Sequence, residues 1–339
     1  MKSTFIMPPE WAPQKRIWLS WPHARADWPG KFAPIPWVFA EMVRAITPTQ
    51  RVGLLVKDAA TRAEAMDMLD RAGVTLTQVD FLEVKTNRGW LRDCGPIWVR
   101  DGAGALTALD WKFNAWAKYA NHRLDNAVPE PITAFTGHSR VLPKYKGRHV
   151  VLEGGGIEVD GAGTVLVTEE WLLSDTQVRN PGFSREDYEA IFAQYLGAPH
   201  TVWLDAGIVG DDTHGHIDDV TRFVAPGSVV TVMERDSMDP NAAILQANRT
   251  RLGRTSLNVT ELPMPRPVLF EGQRLPASYA NFLICNHVVL VPVFNDPADQ
   301  IALTALQKCF PTRDVIGIYA RDLVWGLGTI HCLTQQEPA

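Results

Sequence analysis

Short apolar runs with few polar interruptions recur along the whole chain. Such runs are typical of strands buried on both faces of a sheet, as in α/β proteins. They predict strands at RIWLSW (16–21), RVGLLV (51–56), PIWVR (96–100), HVVLEGG (149–155), TVLVTEEWLL (164–173), SVVTVM (228–233) and FLICNHVVLVPVF (282–294).

Helix start signals lie between these strands. Thr61, with a glutamate three residues later, resembles a capping box, and Ser184 stands before the run REDYEAIFAQYL. Asp239 and Asp296 are each followed by proline, a residue that favours the first helical turn. A further helix is predicted at 36–46. Strands that alternate with helices predict an α/β fold.

The elements recur with a period. The last three caps are 55 and 57 residues apart, and the first lies two such steps upstream. A strand-rich unit with one helix that recurs every 55–62 residues is typical of a repeated architecture. The helix that this period places near residue 123 is poorly supported, because Pro129 and Pro131 truncate its pattern. No Pro/Ser-rich linker divides the chain, so residues 1–339 are predicted to form a single domain.

The composition indicates a globular protein with a large core. Of the 339 residues, 46% are hydrophobic and 21% are charged. The 33 basic and 38 acidic residues give a net charge of −5 and are spread without blocks. Nucleic-acid-binding proteins usually carry a basic stripe, so this charge pattern argues against a nucleic-acid partner.

Compartment signals favour the cytoplasm. The segment MKSTFIMPPEWAP has no continuous apolar stretch, so a signal peptide is not expected there. No apolar window reaches the roughly 18 residues that a membrane span requires. The four cysteines, Cys94, Cys285, Cys309 and Cys332, are far apart and form no C-x-x-C pair. Such sparse cysteines predict reduced thiols in a cytoplasmic protein.

Four polar, glycine-flanked segments interrupt the apolar framework, namely GWLRDCGP (89–96), LEGGG (152–156), GDDTHGHIDD (210–219) and GTIHCLTQQ (328–336). Their chemically distinctive residues Asp93, Glu153, His216 and Cys332 are spaced 60, 63 and 116 residues apart. This is one segment per repeat, with the fourth repeat skipped. If the repeats are arranged about an axis, equivalent positions converge, and one pocket receives all four side chains.

Cys332 and His216 are a natural nucleophile and acid/base pair. A thiolate attacks electrophilic carbon, and an imidazole protonates a leaving group and then activates water. Carboxylates at Asp93, Glu153 and Asp218 would repel the negative charge that develops when an ester or peptide is attacked. They suit a guanidinium, whose N–H donors pair with carboxylates. The same cation would help to lower the pKa of the thiol.

Five motifs resemble those of agmatine deiminases in order and spacing. They are RGWLRDCGP, LEGGGIEVDGAGT, THGHIDD, SYANF and IHCLTQQEP, and the resemblance runs from RIWLSWP to the C-terminal end. Agmatine deiminases belong, with the bacterial peptidylarginine deiminases, to the guanidine-modifying pentein superfamily. The resemblance implies a five-bladed α/β propeller, the pentein fold, which agrees with the period of about 60 residues.

The resemblance also implies a role for each residue. Cys332 would be the nucleophile and His216 the acid/base. Asp93 and Asp218 would hold the guanidinium, and Glu153 would fix His216 or the reactive end. Agmatine and water would give N-carbamoylputrescine and ammonia through a covalent amidino-thioether, in polyamine biosynthesis. No metal or organic cofactor is expected, because the substrate carries the charge that the carboxylates use. Homodimers are common in relatives, so a homodimer is expected.

Two departures from the family pattern bear on the choice of substrate. The chain reads WGLG (325–328) where many relatives carry a GGG-type run, and GGGIEVDG where plant-type agmatine enzymes have GGSIHVDG. Both touch the pocket wall and leave the nucleophile intact. Asp212 is a candidate partner for the distal ammonium of agmatine. Trp90 is a candidate for stacking on the guanidinium or the alkyl chain.

Several of these residues have plainer interpretations. His214, His216 and Asp218 occupy alternate positions, as metal ligands on one face of a strand would. No other His/Cys cluster in the sequence supports a metal site. His331 is favoured as a packed or backbone-bonded histidine. The run GGG (154–156) lacks the lysine of a P-loop, so a tight turn or close backbone approach is favoured.

The carboxylates and the tryptophan also have structural alternatives. Asp93 and Glu153 are candidate partners of Arg92 or Arg88, and Trp90 is a candidate core residue.

Three other functions stay open at the level of sequence. The nearest is a deiminase or dihydrolase for arginine or peptidyl-arginine, with the same chemistry and a basic residue near the pocket for a free carboxylate. A cysteine hydrolase of neutral amides would be unaffected by neutralising Asp93 and Asp218. A non-enzymatic binder would hold cationic ligands without releasing ammonia.

Overall fold

A computed structural model of the protein describes residues 5–339. Residues 1–4, the start of the segment considered above for a signal peptide, lie outside the described residues. Within the described part, no helix is both long enough and apolar enough to cross a membrane.

Strands and helices alternate along the described chain. The helices are α1 (Ile35–Ile46), α2 (Ala59–Arg71), α3 (Leu91–Cys94), α4 (Pro129–Thr136), α5 (Glu169–Leu173), α6 (Arg185–Tyr195), α7 (Pro240–Leu252) and α8 (Ala298–Cys309). The strands are β1 (Phe5–Ile6), β2 (Gln14–Ser20), β3 (Arg51–Val56), β4 (Val79–Glu83), β5 (Ile97–Asp101), β6 (Leu106–Leu109), β7 (Ser139–Val141), β8 (Lys144–Tyr145), β9 (Arg148–His149), β10 (Glu158–Val159), β11 (Thr164–Thr168), β12 (His200–Leu204), β13 (Thr221–Ala225), β14 (Ser228–Met233), β15 (Asn258–Pro263), β16 (Leu269–Phe270), β17 (Gln273–Arg274), β18 (Leu283–Ile284), β19 (Val288–Val293), β20 (Asp314–Tyr319) and β21 (Thr334–Pro338).

Five sheets in residues 5–339 repeat one arrangement. An antiparallel strand pair is followed by a strand parallel to its second member, and a helix fills the crossover, as α7 does between β14 and β15. The sheet orders are β21-β2-β3-β4, β1-β5-β6-β7, β10-β11-β12, β13-β14-β15 and β18-β19-β20, beside the hairpins β8-β9 and β16-β17. The predicted α/β class is confirmed. The radial arrangement of the sheets as propeller blades stays a prediction.

The core explains the continuous apolar runs of the sequence. Buried apolar side chains form two clusters, of which the larger includes Trp18 and Leu54 and the smaller includes Val99 and Trp171. Strand residues contribute to both clusters. The single domain predicted for residues 1–339 stays a prediction.

The helix that seemed truncated by prolines is present. α4 begins at Pro129, and Pro131 also lies in its first turn. The first N–H groups of a helix have no partner within it, so a proline there removes no hydrogen bond. The sequence argument treated both prolines as interior residues, which was wrong.

Of the predicted N-caps, Ser184 and Asp239 are observed, whereas Thr61 and Asp296 are not. α8 begins at Ala298 after the cap residue Pro297, and Asp296 accepts the Ala298 N–H at 2.9 Å. Ser184 and Asp187 form a capping box at the start of α6. α2 begins two residues before Thr61, and its cap is Asp58, which accepts a hydrogen bond from the Thr61 N–H at 2.8 Å. Asp58 and Thr61 are both residue types that cap helices, and the apolar pattern alone does not separate them.

Three predicted strands differ from the observed elements. HVVLEGG overlaps the strand Arg148–His149 only at His149, Val151 forms an isolated bridge with Lys112, and Gly154–Gly156 form a 3-10 turn. TVLVTEEWLL divides at Thr168, whose side chain caps α5. FLICNHVVLVPVF contains two antiparallel strands, Leu283–Ile284 and Val288–Val293, separated by a turn. An apolar run reports burial, and burial is shared by strands, turns and short helices.

The loop after β6 contains a left-handed turn without glycine. Ala115, Trp116 and Ala117 have φ values of 51°, 58° and 54°. A residue with a Cβ is strained by roughly 1–2 kcal/mol in this conformation. Three consecutive strained residues persist only where their surroundings fix them, and such places cluster at functional sites.

Replacing Ala117 with glycine is therefore expected to stabilise the protein. Ala117 is exposed, so the change removes strain without creating a cavity. Relief of strain outweighs the extra chain entropy of glycine, and the free energy of unfolding should rise by about 0.5–1 kcal/mol. Urea denaturation measures this change. Ala63→Gly, at an exposed position inside α2, is the matched control and should destabilise by about 1 kcal/mol. A loss of stability in Ala117→Gly would contradict the assigned strain.

Candidate active site

The predicted site residues lie at equivalent places, just before the antiparallel pairs. Asp93 lies in α3 before β5, and Glu153 precedes the 3-10 turn that leads to β10. His216 and Asp218 lie at the 3-10 turn before β13, and Cys332 lies two residues before β21. The repeat therefore positions all five residues in the same way.

Asn281 fills the repeat that the sequence argument had skipped. It lies two residues before β18. Its Nδ2 donates hydrogen bonds to Sγ of Cys332 and to Oδ1 of Asp219, each at 3.0 Å. Its Oδ1 accepts from the N–H of His331 at 3.1 Å. The missed signal was the polar motif SYANF, whose asparagine lies 63 residues after Asp218.

The thiol of Cys332 is buried among acceptors. It donates to Oδ2 of Asp218 at 3.6 Å. Burial raises the pKa of Cys332 well above its ordinary value, and the carboxylates of Asp218, Asp219 and Asp93 raise it further. The hydrogen bond from Asn281 opposes them. Without a bound cation the residue is therefore a thiol, and a cation beside these carboxylates would lower its pKa.

His216 is a buried cation between two carboxylates. Its Nδ1 lies 3.8 Å from Oδ1 of Asp93, and its Nε2 lies 3.8 Å from Oε2 of Glu153. Burial by itself would lower the pKa of His216, but the charges of Asp93 and Glu153 outweigh it and raise the pKa to about 9. Among residues 5–339, neither ring nitrogen has a partner at hydrogen-bond distance. The imidazolium therefore has protons free to donate.

Asp93 is held by two donors. Its Oδ1 accepts the N–H of Gly155 at 3.0 Å, and its Oδ2 accepts Nε1–H of Trp116 at 2.8 Å. Burial raises the pKa of Asp93 to about 6, although the charge of His216 opposes that shift. Trp116, which the sequence analysis did not single out, belongs to the strained loop. That loop therefore fixes a site carboxylate.

Glu153 is fully buried and paired with Arg179. Oε1 accepts Nε–H of Arg179 at 3.0 Å, and Oε2 accepts Nε1–H of Trp171 at 2.8 Å. Burial alone would raise the pKa of Glu153, but Arg179 and His216 lower it to about 2.

Arg92 and Arg88 have other partners than the site carboxylates. Arg92 donates to Gln335 and Gln336, and Arg88 donates to Asp27. Neither arginine is the structural partner that the alternative interpretation of Asp93 and Glu153 required.

His331 bridges two carboxylates, and its favoured interpretation as a packed or backbone-bonded histidine is wrong. Nδ1 lies 2.7 Å from Oδ2 of Asp218, and Nε2 lies 2.8 Å from Oε2 of Glu10. Oδ1 of Asp218 is buried and has no hydrogen-bond partner in the described part of the chain. Asp218 therefore has one oxygen engaged and one available.

The glycine run brings the backbone against the site, as the sequence favoured. A Cβ on Gly155 would lie 2.6 Å from Nδ1 of His216, 2.9 Å from Oδ1 of Asp93 and 3.1 Å from Oδ2 of Asp218. No side chain fits at these distances. Gly155 thus lets the imidazole and the carboxylates approach one backbone N–H.

Gly155→Ala is expected to disrupt the site. The added methyl must displace His216 or Asp93, and misplacement of catalytic groups by about 1 Å costs about 10²-fold in rate. The rate of ammonia release from the proposed guanidine substrate measures the effect. Gly102→Ala, at a glycine with no atom within 4 Å of its would-be Cβ, is the matched control and should keep full turnover. Equal activity of the two variants would show that the site tolerates the displacement.

A cavity leads to the thiol. Its lining includes the buried residues Cys332, Asp93 and Trp90. His216 contacts Asp93, and Asp218 contacts Cys332, so these two residues lie directly behind the lining. Trp90 donates to Asp27 and packs against Trp28, and its ring still reaches the cavity.

The lining also carries paired charges. Asp212 accepts hydrogen bonds from Lys118 and from the Tyr119 hydroxyl, the latter at 2.7 Å. Asp27 accepts from Arg88 at 2.8 Å. The sequence analysis identified Asp212 and missed Asp27 and Tyr119, because their segments carry no distinctive motif.

The alternating histidines do not assemble a ligand set. Among the described residues, the groups close enough to hold a metal are Glu10 with Glu158 and His331, and Asp218 with Asp219 and Cys332. His214 instead contacts Ser174 and Glu170. Neither His214 nor His216 belongs to these groups, and the expectation that no metal takes part stays a prediction.

Comparisons with known proteins agree along the whole chain. Residues 6–338 match the family model described as Porphyromonas-type peptidyl-arginine deiminase. The agmatine deiminase of Stutzerimonas stutzeri is 35% identical over 99% of this chain and 96% of its own length. That of Pseudomonas syringae pv. tomato is also 35% identical, with the same coverage. The solved agmatine deiminase of Enterococcus faecalis superposes with a TM-score of 0.90 at 32% identity, over 99% of this chain and 96% of that one.

Proposed function

Because the chain belongs to the family of Porphyromonas-type peptidyl-arginine deiminases, we propose that it is an agmatine deiminase. It hydrolyses agmatine to N-carbamoylputrescine and ammonia, and is thus a hydrolase of C–N bonds in linear amidines. One observation carries the proposal: the buried thiol lies among carboxylates, where an enzyme that attacks neutral carbonyls needs oxyanion donors. The curated relatives of the same name support agmatine as the substrate.

We propose that the guanidinium binds between Asp93 and Asp218. The free oxygen of Asp218 accepts one N–H, and Asp93 accepts another. The bound cation lowers the pKa of Cys332, and the thiol proton leaves to solvent through the cavity, so that Asp218 stays ionised. Sγ then bonds to the central guanidine carbon.

His216 supplies the proton for the first departure. Its imidazolium protonates one NH₂ group, the bond from carbon to that nitrogen breaks, and ammonia leaves. The product of this step is a covalent amidino-thioether on Cys332. Glu153, held by Arg179, keeps the imidazole in place.

The same imidazole completes the reaction. Neutral His216 takes a proton from water, and the hydroxide bonds to the central carbon. The carbon–sulfur bond breaks, the hydroxyl proton passes to the departing sulfur, N-carbamoylputrescine leaves and the thiol is regenerated. The mechanism uses no metal or organic cofactor, because the substrate brings the positive charge that the carboxylates stabilise.

Asp212 and Trp90 are proposed to bind the rest of agmatine. Both line the cavity, and Trp90 offers an apolar face to the alkyl chain. Asp212 is shared with Lys118 and Tyr119, so the distal ammonium would compete with Lys118 for this carboxylate.

Free arginine or peptidyl-arginine is the second candidate substrate. The arginine carboxylate requires a basic residue beside the cavity, and Arg88 lines it while Lys118 contacts Asp212. Each base is already paired with an acid, so the charge of the outer cavity is balanced. Agmatine, which has no carboxylate, needs no free basic residue beside the cavity.

Ammonia release from purified protein tests the proposal. Agmatine, arginine and a benzoyl-arginine peptide are offered in parallel, and Cys332→Ala measures the background. Turnover of agmatine alone supports the proposal, and turnover of arginine or the peptide replaces the substrate and keeps the chemistry. Asp93→Asn and Asp218→Asn separate the remaining alternative, because a hydrolase of neutral amides would retain activity in both.

We further propose a cytoplasmic homodimer that serves polyamine biosynthesis. The four cysteines form no disulfide, which fits a reducing compartment. N-carbamoylputrescine already contains the diamine skeleton and needs only loss of its carbamoyl group.

A further inference from the structure

A chain of five buried charged groups starts at the carboxylate beside the nucleophile. Asp218 contacts His331 at 2.7 Å, and His331 contacts Glu10 at 2.8 Å. Glu10 accepts from Arg222 at 2.6 Å, and Arg222 donates to Glu158 at 2.8 Å. All five residues are at most 5% exposed. Charged groups are buried at a cost, so a continuous buried chain ending at the nucleophile points to a role.

His331 donates from both ring nitrogens when Asp218 and Glu10 are ionised. Each ring nitrogen faces a carboxylate oxygen, and only the imidazolium donates from both nitrogens. The ring is also fixed through its backbone, whose N–H donates to Oδ1 of Asn281. Protein groups, rather than solvent, therefore determine the position and the charge of the ring.

The charge of His331 acts on Asp218. Its N–H engages Oδ2, the oxygen that Sγ of Cys332 contacts, and Oδ1 has no partner within the described residues. Asp218 would otherwise be a buried carboxylate near two other acids, Asp93 and Asp219, which favours its protonated form. A protonated Asp218 would lose the charge that attracts a guanidinium.

Glu10 keeps His331 charged and oriented. It comes from the segment after β1, far from the other members in sequence, and also accepts the backbone N–H of Ile284 at 2.7 Å. Arg222 balances the charge of Glu10 and is itself bound to the carbonyls of Ala280 and Phe282. The chain is therefore anchored on the rigid strands around the site.

We infer that His331 is a positioning residue, which keeps Asp218 ionised and turned toward the guanidinium and is itself held by Glu10. The inference rests on the proposed function, because it assigns a partner to the carboxylate that binds the substrate.

The inference predicts how the pH profile responds. The charged groups around Asp218 are the acids Asp93, Asp219, Glu10 and Glu158, the cations His216, His331, Arg92 and Arg222, and the thiol of Cys332. Burial raises the pKa of Asp218, but His331 and His216 lower it below its ordinary value. Loss of the His331 charge raises that pKa, so activity is lost at a higher pH as the solution is acidified.

The test compares His331→Gln and Glu10→Gln with the wild type. Asp93, with a pKa of about 6, sets the first step of the acid limb of kcat/KM. The second step, at lower pH, belongs to Asp218 and should move up by about one pH unit or more in His331→Gln, and in the same direction by less in Glu10→Gln. kcat/KM at pH 7 should fall about tenfold or more in His331→Gln. His149→Gln, at a histidine that contacts the carbonyl of Asp110, is the control and should match the wild type.

A purely structural role predicts a different result. Both variants would then lose thermal stability while the second step of the acid limb stays in place, and this outcome would overturn the inference. ¹⁵N resonances of histidine give a reading that needs no turnover: His331 should be protonated at both nitrogens at pH 7, and a neutral tautomer would refute the inference. If the wild type released ammonia from neither agmatine nor arginine, the proposed function would be refuted. The results with the two variants test only the role of His331.

Discussion

Replacement of Cys332 with alanine is expected to abolish ammonia release from agmatine while the protein keeps its fold. The thiol forms the covalent bond to the substrate, and no other cysteine lines the cavity among the described residues. Loss of a nucleophile costs about 10⁴-fold or more in kcat. The rate of ammonia release by the variant, compared with the wild type, measures this loss directly.

Substrate binding should survive in the same variant. Asp93 and Asp218 still offer their oxygens to the guanidinium. Alanine, unlike a thiolate, adds no negative charge beside these carboxylates. Agmatine at 100 times its dissociation constant should stabilise Cys332→Ala by about 2.7 kcal/mol, a shift visible in thermal melting. Cys285→Ala is the matched control, because Cys285 is also buried, burial raises its pKa, and it lies outside the cavity lining. Full activity in Cys332→Ala would mean that another group attacks the guanidine carbon.

His216→Asn is expected to lower kcat by about 10²–10⁴-fold. Asparagine approximates the size of part of the ring but neither protonates the leaving nitrogen nor deprotonates water at neutral pH. The carboxylates of Asp93 and Glu153 would also lose the cation between them. His200→Asn, at an exposed histidine in β12, should leave turnover unchanged. A small effect in His216→Asn would assign the proton transfers to another group.

The raised pKa of His216 also gives a pH dependence with a definite sign. The wild type needs the imidazolium, so kcat/KM should fall as the pH rises through about 9. The folded state binds this proton more tightly than the unfolded state, whose histidine titrates near 6.5. The contribution to stability is therefore complete below pH 6.5 and is lost as the pH rises through about 9. Melting of His216→Asn across this range should lack that decline.

The sequence predicted the groups of the site better than their contacts. Cys332, His216 and the three carboxylates meet, because a strand-rich repeat presents equivalent segments to one place. The role of each residue stays a prediction. His331 was misjudged because its second partner, Glu10, lies 321 residues away, and no local pattern links them.

Local rules failed where two interpretations were compatible with the same residues. Pro129 and Pro131 were taken as helix breakers, although proline is harmless in a first turn. HVVLEGG was taken as a strand, although its glycines serve the approach of Asp93 and His216 rather than a sheet. The left-handed turn at Ala115, Trp116 and Ala117 had no signal, because nothing in the sequence marks it.

The sheet that joins β21 to β2 has a consequence for how the protein is made. Trp18 in β2 donates to Glu337 in β21 at 2.9 Å, across 319 positions of the chain. At about 5–20 residues per second, ribosomes would leave β2 waiting for this partner for tens of seconds. Until β21 emerges, one edge of β2 is unpaired and Cys332 has no fixed place. A nascent chain can thus have the other four sheets folded and still be inactive toward guanidines. A chain released early from a stalled ribosome, before β21 is made, therefore has no partial activity.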